Sequence, residues 1–353
     1  MKVLSTITDP VYQPKNHLSA YDRFWLKYMN DKRDLPFIHL LTGIHLLVIP
    51  AAIILYTNLL SGWTWWALAI PYFYVSQMYY KGRFGLMYHC MCHRKTFIKP
   101  YQGYFHNYIT WFVTPFFGHT PETYFSHHMG MHHVENNTED DDSSTMPYQR
   151  DSIRGFLMYY MDFMVSGFKD TFAYLYKRKR RKLYSRLSFG EVCFFLFCIG
   201  MSFVNLPATL LVFIIPFFFG RLVMMLGNWT QHAFVDHEEP TNLYKSAINC
   251  INTSYNKICW NDGYHIIHHL RPGLHYTEMP LEFIRLKESF ARNKALVFDG
   301  VHYLHVFFYL MTKRYDKLAE HVVNIDNMFS SREDAIQLMK QRTRKIKPAS
   351  IST

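Results

Sequence analysis

Four short stretches of the chain hold most of its close-set imidazoles. The densest is Phe125-Ser126-His127-His128-Met129-Gly130-Met131-His132-His133, where four of nine residues are histidine. His89 and His93 bracket a second stretch, His265, His268 and His269 form a third, and His232 closes Asn228-Trp229-Thr230-Gln231-His232. Neutral imidazole is the commonest side-chain ligand for borderline transition metals, iron among them. On a helix, residues at i and i+4 share a face. That spacing joins His89 with His93, His128 with His132, and Asn228 with His232. His127 lies off the HxxxHH pattern and is left out. The nine other imidazoles, His89, His93, His128, His132, His133, His232, His265, His268 and His269, exceed what one four- to six-coordinate ion can take. Two metal ions are the economical reading.

Nearby residues read differently. Cys90 and Cys92 alternate with the first histidine pair; a zinc site could use them, but on a helix they face away from His89 and His93 and read as small packing residues. His39 and His45 fall inside an apolar stretch and are expected to pack or to bond between helices. Asp262, Glu278 and His275 flank the third stretch and are positioned in sequence to orient ligand imidazoles, as outer carboxylates do. The acidic run Glu139-Asp140-Asp141-Asp142 reads as a solvated loop, and Arg221 as a side chain snorkelling to a membrane surface.

The apolar patterning says how such residues could meet. No Asp, Glu, Lys or Arg occurs from Leu35 to Tyr80. That is too long for one spanning helix and suits two of about 20 residues, turning at Asn58–Gly62. A second uncharged run lies between Glu191 and Arg221, with its turn near Gly200–Pro207. Expected spans are therefore about 37–58, 63–82, 188–205 and 207–228. Neither turn carries a charge, whereas Lys177-Arg178-Lys179-Arg180-Arg181-Lys182 and the other basic runs lie at the opposite ends, which puts both termini and every histidine stretch on the cytosolic side. Residues 101–118, broken by Gly103, Pro115 and Gly118, read as interfacial or re-entrant, and residues 152–176 as an amphipathic helix. The expected fold class is an all-α membrane protein: four transmembrane helices in two hairpins, with a cytosolic helical cap holding a dimetal site. Its parts are a polar, interfacial segment at 1–34, a membrane domain at 35–280, and a helical C-terminal region with a basic tail at 281–353.

Composition agrees. Hydrophobic residues make up 49% and aromatic residues 18% of the 353, as suits a chain with interfacial aromatic belts. The six cysteines contain no CxxC pair, so a reduced compartment is expected. The N-terminus reads as lacking a signal peptide. The net charge of +11 fits a cytosolic face or an anionic partner such as lipid headgroups; with no nucleic-acid motif and basic residues flanking apolar segments, nucleic acid is excluded. Sequons at Asn136, Asn228 and Asn252 would be cytosolic and unused.

The series HxxxH (His89, His93), HxxxHH (His128, His132, His133) and HxxHH (His265, His268, His269), in this order relative to four expected spans, resembles the three histidine boxes of integral-membrane fatty acid desaturases and related alkyl hydroxylases. Gly263-Tyr264-His265-Ile266-Ile267-His268-His269 is similar to the desaturase context as well. The resemblance covers residues 35 to about 280. It implies that the eight box histidines bind two irons, which use O2 to remove hydrogen from an unactivated acyl chain. An Asn and a His four residues apart complete the set in acyl-CoA desaturases, which implies His232 as a ligand and Asn228 as one acting through water. Electrons would come from a separate cytochrome b5-like or ferredoxin-like donor, since the chain shows no His-Pro-Gly-Gly, cysteine cluster or nucleotide loop. The expected location is the endoplasmic reticulum membrane in a eukaryote, or the inner or plasma membrane in a bacterium. Three functions stand in order: an acyl desaturase, a hydroxylase on the same scaffold, and a non-enzymatic metal-binding membrane protein.

Overall fold

The structure, a computed structural model, describes residues 1–4 and 6–346. The basic tail expected from Lys340 enters it only in part: residues 340–342 end the helix Arg332–Arg342, and Lys347 onward lies outside the described residues. The fold is mostly helical, but not wholly. Buried Asn249–Ile251 and Val297–Asp299 form a two-stranded parallel sheet that the all-α expectation lacks. Such three-residue strands carry too little periodicity to register in a sequence. The chain divides into two compact units: Met1–Val11 with His128–Lys179 and Val223–Thr353, and Tyr12–His127 with Arg180–Leu222.

In the unit of Tyr12–His127 and Arg180–Leu222, two helical hairpins dominate. Lys32–Tyr56 is long and apolar enough to cross a membrane. It stops where Thr57 turns extended, and the chain re-enters a helix at Trp63 after Gly62, whose φ of 51° favours glycine. The limbs run antiparallel. Trp65 Nε1 donates to the Leu55 carbonyl at 3.0 Å, and at the far end Gly43 makes room for Tyr80, whose hydroxyl would lie 2.5 Å from a Cβ there. The second limb continues as one helix from Trp63 to His93 through a π-helical turn at Tyr74–Tyr80. Residues 63–93 thus extend about 46 Å. The uncharged part of this helix ends at Tyr80, so His89 and His93 lie about 14 and 20 Å farther along it.

The second hairpin lies within Arg181–Gln231, 51 residues that also meet the length and apolarity of a membrane-crossing helix. Asn205 breaks it (φ −158°, ψ 99°). Its Oδ1 accepts from Ala208 N at 3.1 Å, which caps the second limb, and Pro207 sits in the first turn where its missing N–H leaves no bond unmade. Contacts Phe197–Phe213 (5.1 Å between ring centres), Phe194–Phe217 (5.8 Å) and Glu191–Arg221 (2.8 Å) fold the limbs antiparallel. Arg221 therefore does not snorkel. It is 12% exposed, paired with Glu191 and stacked on Phe217, while the Thr120 and Thr123 hydroxyls donate to the same carboxylate. A charge held off water persists when it is paired and hydrogen-bonded. Residues 101–118 form a short helix, a π-helical turn and a 3₁₀ turn ending at left-handed Gly118, where a Cβ would fall 1.8 Å from the Pro216 carbonyl. Gln77 Nε2 and Lys81 Nζ, one helical turn apart, cap the carbonyls of Phe116 and Phe117 at 2.9 and 2.5 Å.

In the other unit, the N-terminal segment is threaded into the core rather than sharing one role with the rest of residues 1–34. Buried Asp9 accepts from Asn252 N (2.6 Å), Thr253 N (3.2 Å) and the Tyr264 hydroxyl (2.7 Å). Asn261 Nδ2 donates to the Pro10 carbonyl. These bonds brace the chain just ahead of His265. The wholly buried guanidinium of Arg150 donates to the carbonyls of Ala233, Arg342 and Arg344, and Thr145 Oγ1 to that of His232, so the chain around His232 is tied to the C-terminal helix.

Candidate metal centre

His132, His232, His265 and His269 bring one ring nitrogen each to within 4.8 Å of one another, and all four are buried. His265 and His269 lie one turn apart on the helix His265–Leu270, as their i, i+4 spacing predicts. His232 extends the final turn of Ile215–Gln231, its N–H donating to the Asn228 carbonyl at 3.0 Å. His132 departs from expectation. Residues His128–His132 form a π-helical turn, in which i meets i+5 instead of i+4. His128 therefore pairs with His133, their Nε2 atoms 3.0 Å apart, and His132 turns to the other group. His268 Nε2 lies 2.9 Å from His133 Nε2, so His128, His133 and His268 make a second group in this unit.

An outer ring of acceptors sets which nitrogen each imidazole presents. Nδ1–H of His132 donates to Asp141 Oδ2 at 2.7 Å, that of His232 to the Ser246 carbonyl at 2.8 Å, and that of His269 to Asn136 Oδ1 at 2.9 Å. A carboxylate or carbonyl cannot donate, so in each case the proton sits on Nδ1 and Nε2 is the basic nitrogen of the ring. Asp141 is itself fixed by Asn137 N, Ser143 N and Ser143 Oγ at 3.1, 2.9 and 2.6 Å. Burial lowers the pKa of His232 to about 3 and of His269 well below the usual range, with neighbouring imidazoles acting in the same direction. Both rings are neutral, as ligands must be.

The donor set fits a borderline first-row ion. Neutral nitrogens fill it, with no ring of carboxylates such as magnesium or calcium prefers. His265 Nε2 lies 3.1 Å from His232 Nε2 and 3.0 Å from His269 Nε2. Two nitrogens bound at about 2.1 Å lie about 3.0 Å apart at a right angle and about 3.4 Å apart at a tetrahedral one. The spacing is close enough for the three nitrogens to bind one ion.

Several expectations find a definite place. His89 and His93, on the helix of residues 63–93 in the other unit, keep their rings 5.1 Å apart. Asn228 Nδ2 donates to the Ser143 carbonyl and to Tyr159 Oη, both at 2.8 Å. His127, Cys90 and Cys92 join neither histidine group. His39 pairs with Asp22, and His45 bonds the Leu41 carbonyl and Tyr108. Asp262 accepts from Gln231 and Tyr255, and His275 caps the turn at Tyr276–Glu278. The acidic run is not a solvated loop. Asp141 is 3% exposed and orients His132, and only Glu139 and Asp140 face solvent. Spacing gave no signal for Asp141 and Asn136, which lie in irregular backbone, or for Ser246, which meets His232 through its backbone carbonyl at the end of the short helix Leu243–Ser246.

No curated protein and no solved structure matches the chain. The family model described as fatty acid desaturase matches residues 63–300, well over half of the chain and a stretch that takes in every histidine of both groups together with His89 and His93. On that match the chain belongs to the fatty acid desaturase family.

Proposed function

We propose that this protein is an O2-dependent fatty acyl desaturase with a two-iron centre. Membership of its family already makes it an oxidoreductase acting on fatty acids and associated with a membrane. The observation that carries the finer reading is the group His132, His232, His265 and His269, three of whose rings are held by hydrogen bonds at Nδ1 that make Nε2 the basic nitrogen. His128, His133 and His268 are ligands to a second iron, and His89 and His93, the pair assigned by the family resemblance, complete the nine imidazoles. Asn228 acts through water. When bound, the irons supply the O2 chemistry needed to remove hydrogen from an unactivated C–H bond.

The protein's own residues do the rest. Asp141, Ser246 and Asn136 hold the imidazole protons at Nδ1, which keeps the ligand tautomers and ring directions constant through turnover. Burial of the four rings keeps water from the centre. The two hairpins are the four membrane spans, and the histidine groups lie on the cytosolic side, where a separate cytochrome b5-like or ferredoxin-like donor delivers electrons to a basic surface.

Expression in a host without the activity tests this. The expected product is an acyl chain that has lost two hydrogens, made by protein containing two irons per chain, with His132→Ala and His268→Ala inactive yet still inserted in the membrane. A product that gains one oxygen makes the protein a hydroxylase. Zinc, or one ion per chain, overturns the centre.

A further inference from the structure

The helix Ile153–Lys177 has two apolar faces. One is buried in its own unit through Phe156, Tyr159, Gly167 and Leu175. The other is open: Ile153 is 50% exposed, Leu157 52%, Met158 50%, Met161 53%, Val165 79% and Phe168 41%. At 100° per residue these six fall within an arc of about 140°, a stripe along the first 16 residues of the helix, about 24 Å; farther on, Leu175 in the same arc is buried. An exposed apolar stripe of this length marks a surface that is covered in use.

We propose that this face lies in the membrane interface, its apolar side chains at the boundary of headgroups and acyl chains and its cations against anionic lipid headgroups. Three observations select a lipid surface as the occupant. The helix runs directly into Lys177-Arg178-Lys179-Arg180-Arg181-Lys182, and Arg181 opens a hairpin limb long and apolar enough to cross a membrane. Chain continuity therefore brings the helix's C-terminal end to the bilayer surface. Arg154, within the arc of the stripe, and Lys169, at its edge, are exposed, and their long side chains can snorkel to lipid phosphates. The stripe is a convex helix face, which suits a fluid apolar layer. An amphipathic helix that leads into a basic run and has no spanning length of pure apolar sequence takes this position, its apolar face about 5–10 Å deep. The inference rests on the reading that the Arg181–Gln231 hairpin spans the bilayer.

Single spin labels on the full-length protein in vesicles separate the two. Val165→Cys reports the stripe, Leu196→Cys the hairpin, and exposed Asp170→Cys the polar side of the helix; the signal of the unsubstituted protein is subtracted. Collision with O2, which concentrates in lipid, is compared with collision with a water-soluble nickel complex. The expected result is deep lipid contact at Leu196, shallow lipid contact at Val165 and water contact at Asp170, with the Val165 contact several-fold stronger in vesicles one-third anionic than in pure phosphatidylcholine. Lipid at Leu196 with water at Val165 overturns the interfacial helix alone. Water at Leu196 overturns the spanning hairpin. Protection at Val165 that rises with protein density instead of anionic lipid assigns the face to a second copy of the chain and overturns the lipid reading.

Discussion

Asp141 does for His132 what a ligand list alone would miss. Its carboxylate is held by three protein donors and accepts the hydrogen bond of His132 Nδ1–H at 2.7 Å. Replacing it with Asn removes the charge and keeps the shape. Asp141→Asn should weaken iron retention about 10–100-fold, as loss of outer partners generally does. The chelator concentration that strips half the iron measures this, with exposed Asp140→Asn as a control that leaves it unchanged. Next to it, burial raises the Asp142 carboxyl from 3.8 to about 7, with Asp141 and Asp170 adding repulsion and the Thr171 hydroxyl opposing. The folded state thus disfavours charged Asp142. Below about pH 4 the group is neutral folded or unfolded and costs nothing; stability falls as pH rises from there to about 7. Asp142→Asn should remove this decline, so that its melting temperature exceeds that of the unsubstituted protein at pH 8 and the gap closes by pH 4. A constant gap across that range would refute the assignment.

Among the elements, the second hairpin depends on close backbone approach. Gly190 lies where a Cβ would fall 1.8 Å from the Pro121 carbonyl, whereas Gly200 on the same limb has nothing within 4 Å. Both are helical, so replacing either by Ala gains about 0.5–1 kcal/mol of intrinsic propensity. At Gly190 that gain is outweighed by overpacking of about 1–3 kcal/mol. Gly190→Ala should lower the unfolding temperature in detergent and Gly200→Ala should hold or raise it. The π-helical turn at His128–His132 is the other element on which the site depends. Its extra residue sends His132 to one histidine group and His128 to the other, which a regular α-helix would not do.

For the whole molecule, the spans and their direction are the decisive proposal. A thiol at Ser61→Cys, in the turn of the first hairpin, should react with a membrane-impermeant reagent only after vesicles with their cytosolic face outward are permeabilised. Lys179→Cys should react in the intact vesicles. The reverse order would invert the topology and move the histidine groups to the other side. The sequons at Asn136, Asn228 and Asn252 should stay unmodified, since Asn136 bonds His269, Asn228 bonds Ser143, and Asn252 bonds Asp299.

The residue types and their local spacing were enough to single out the nine imidazoles as candidate ligands, the two uncharged runs and the breaks at Asn58–Gly62 and near Asn205. These depend only on neighbours in the chain: i, i+4 geometry, apolar length and the placing of Pro and Gly. Tertiary structure alone decided which histidines share a group, because a π-helical turn shifts the register by one residue. It alone showed Asp141 beside His132, Asp9 beneath Tyr264, and Arg221 on Glu191 in place of a membrane surface. A charged side chain reads as solvated in a sequence, and only long-range packing supplies the partner that lets it be buried.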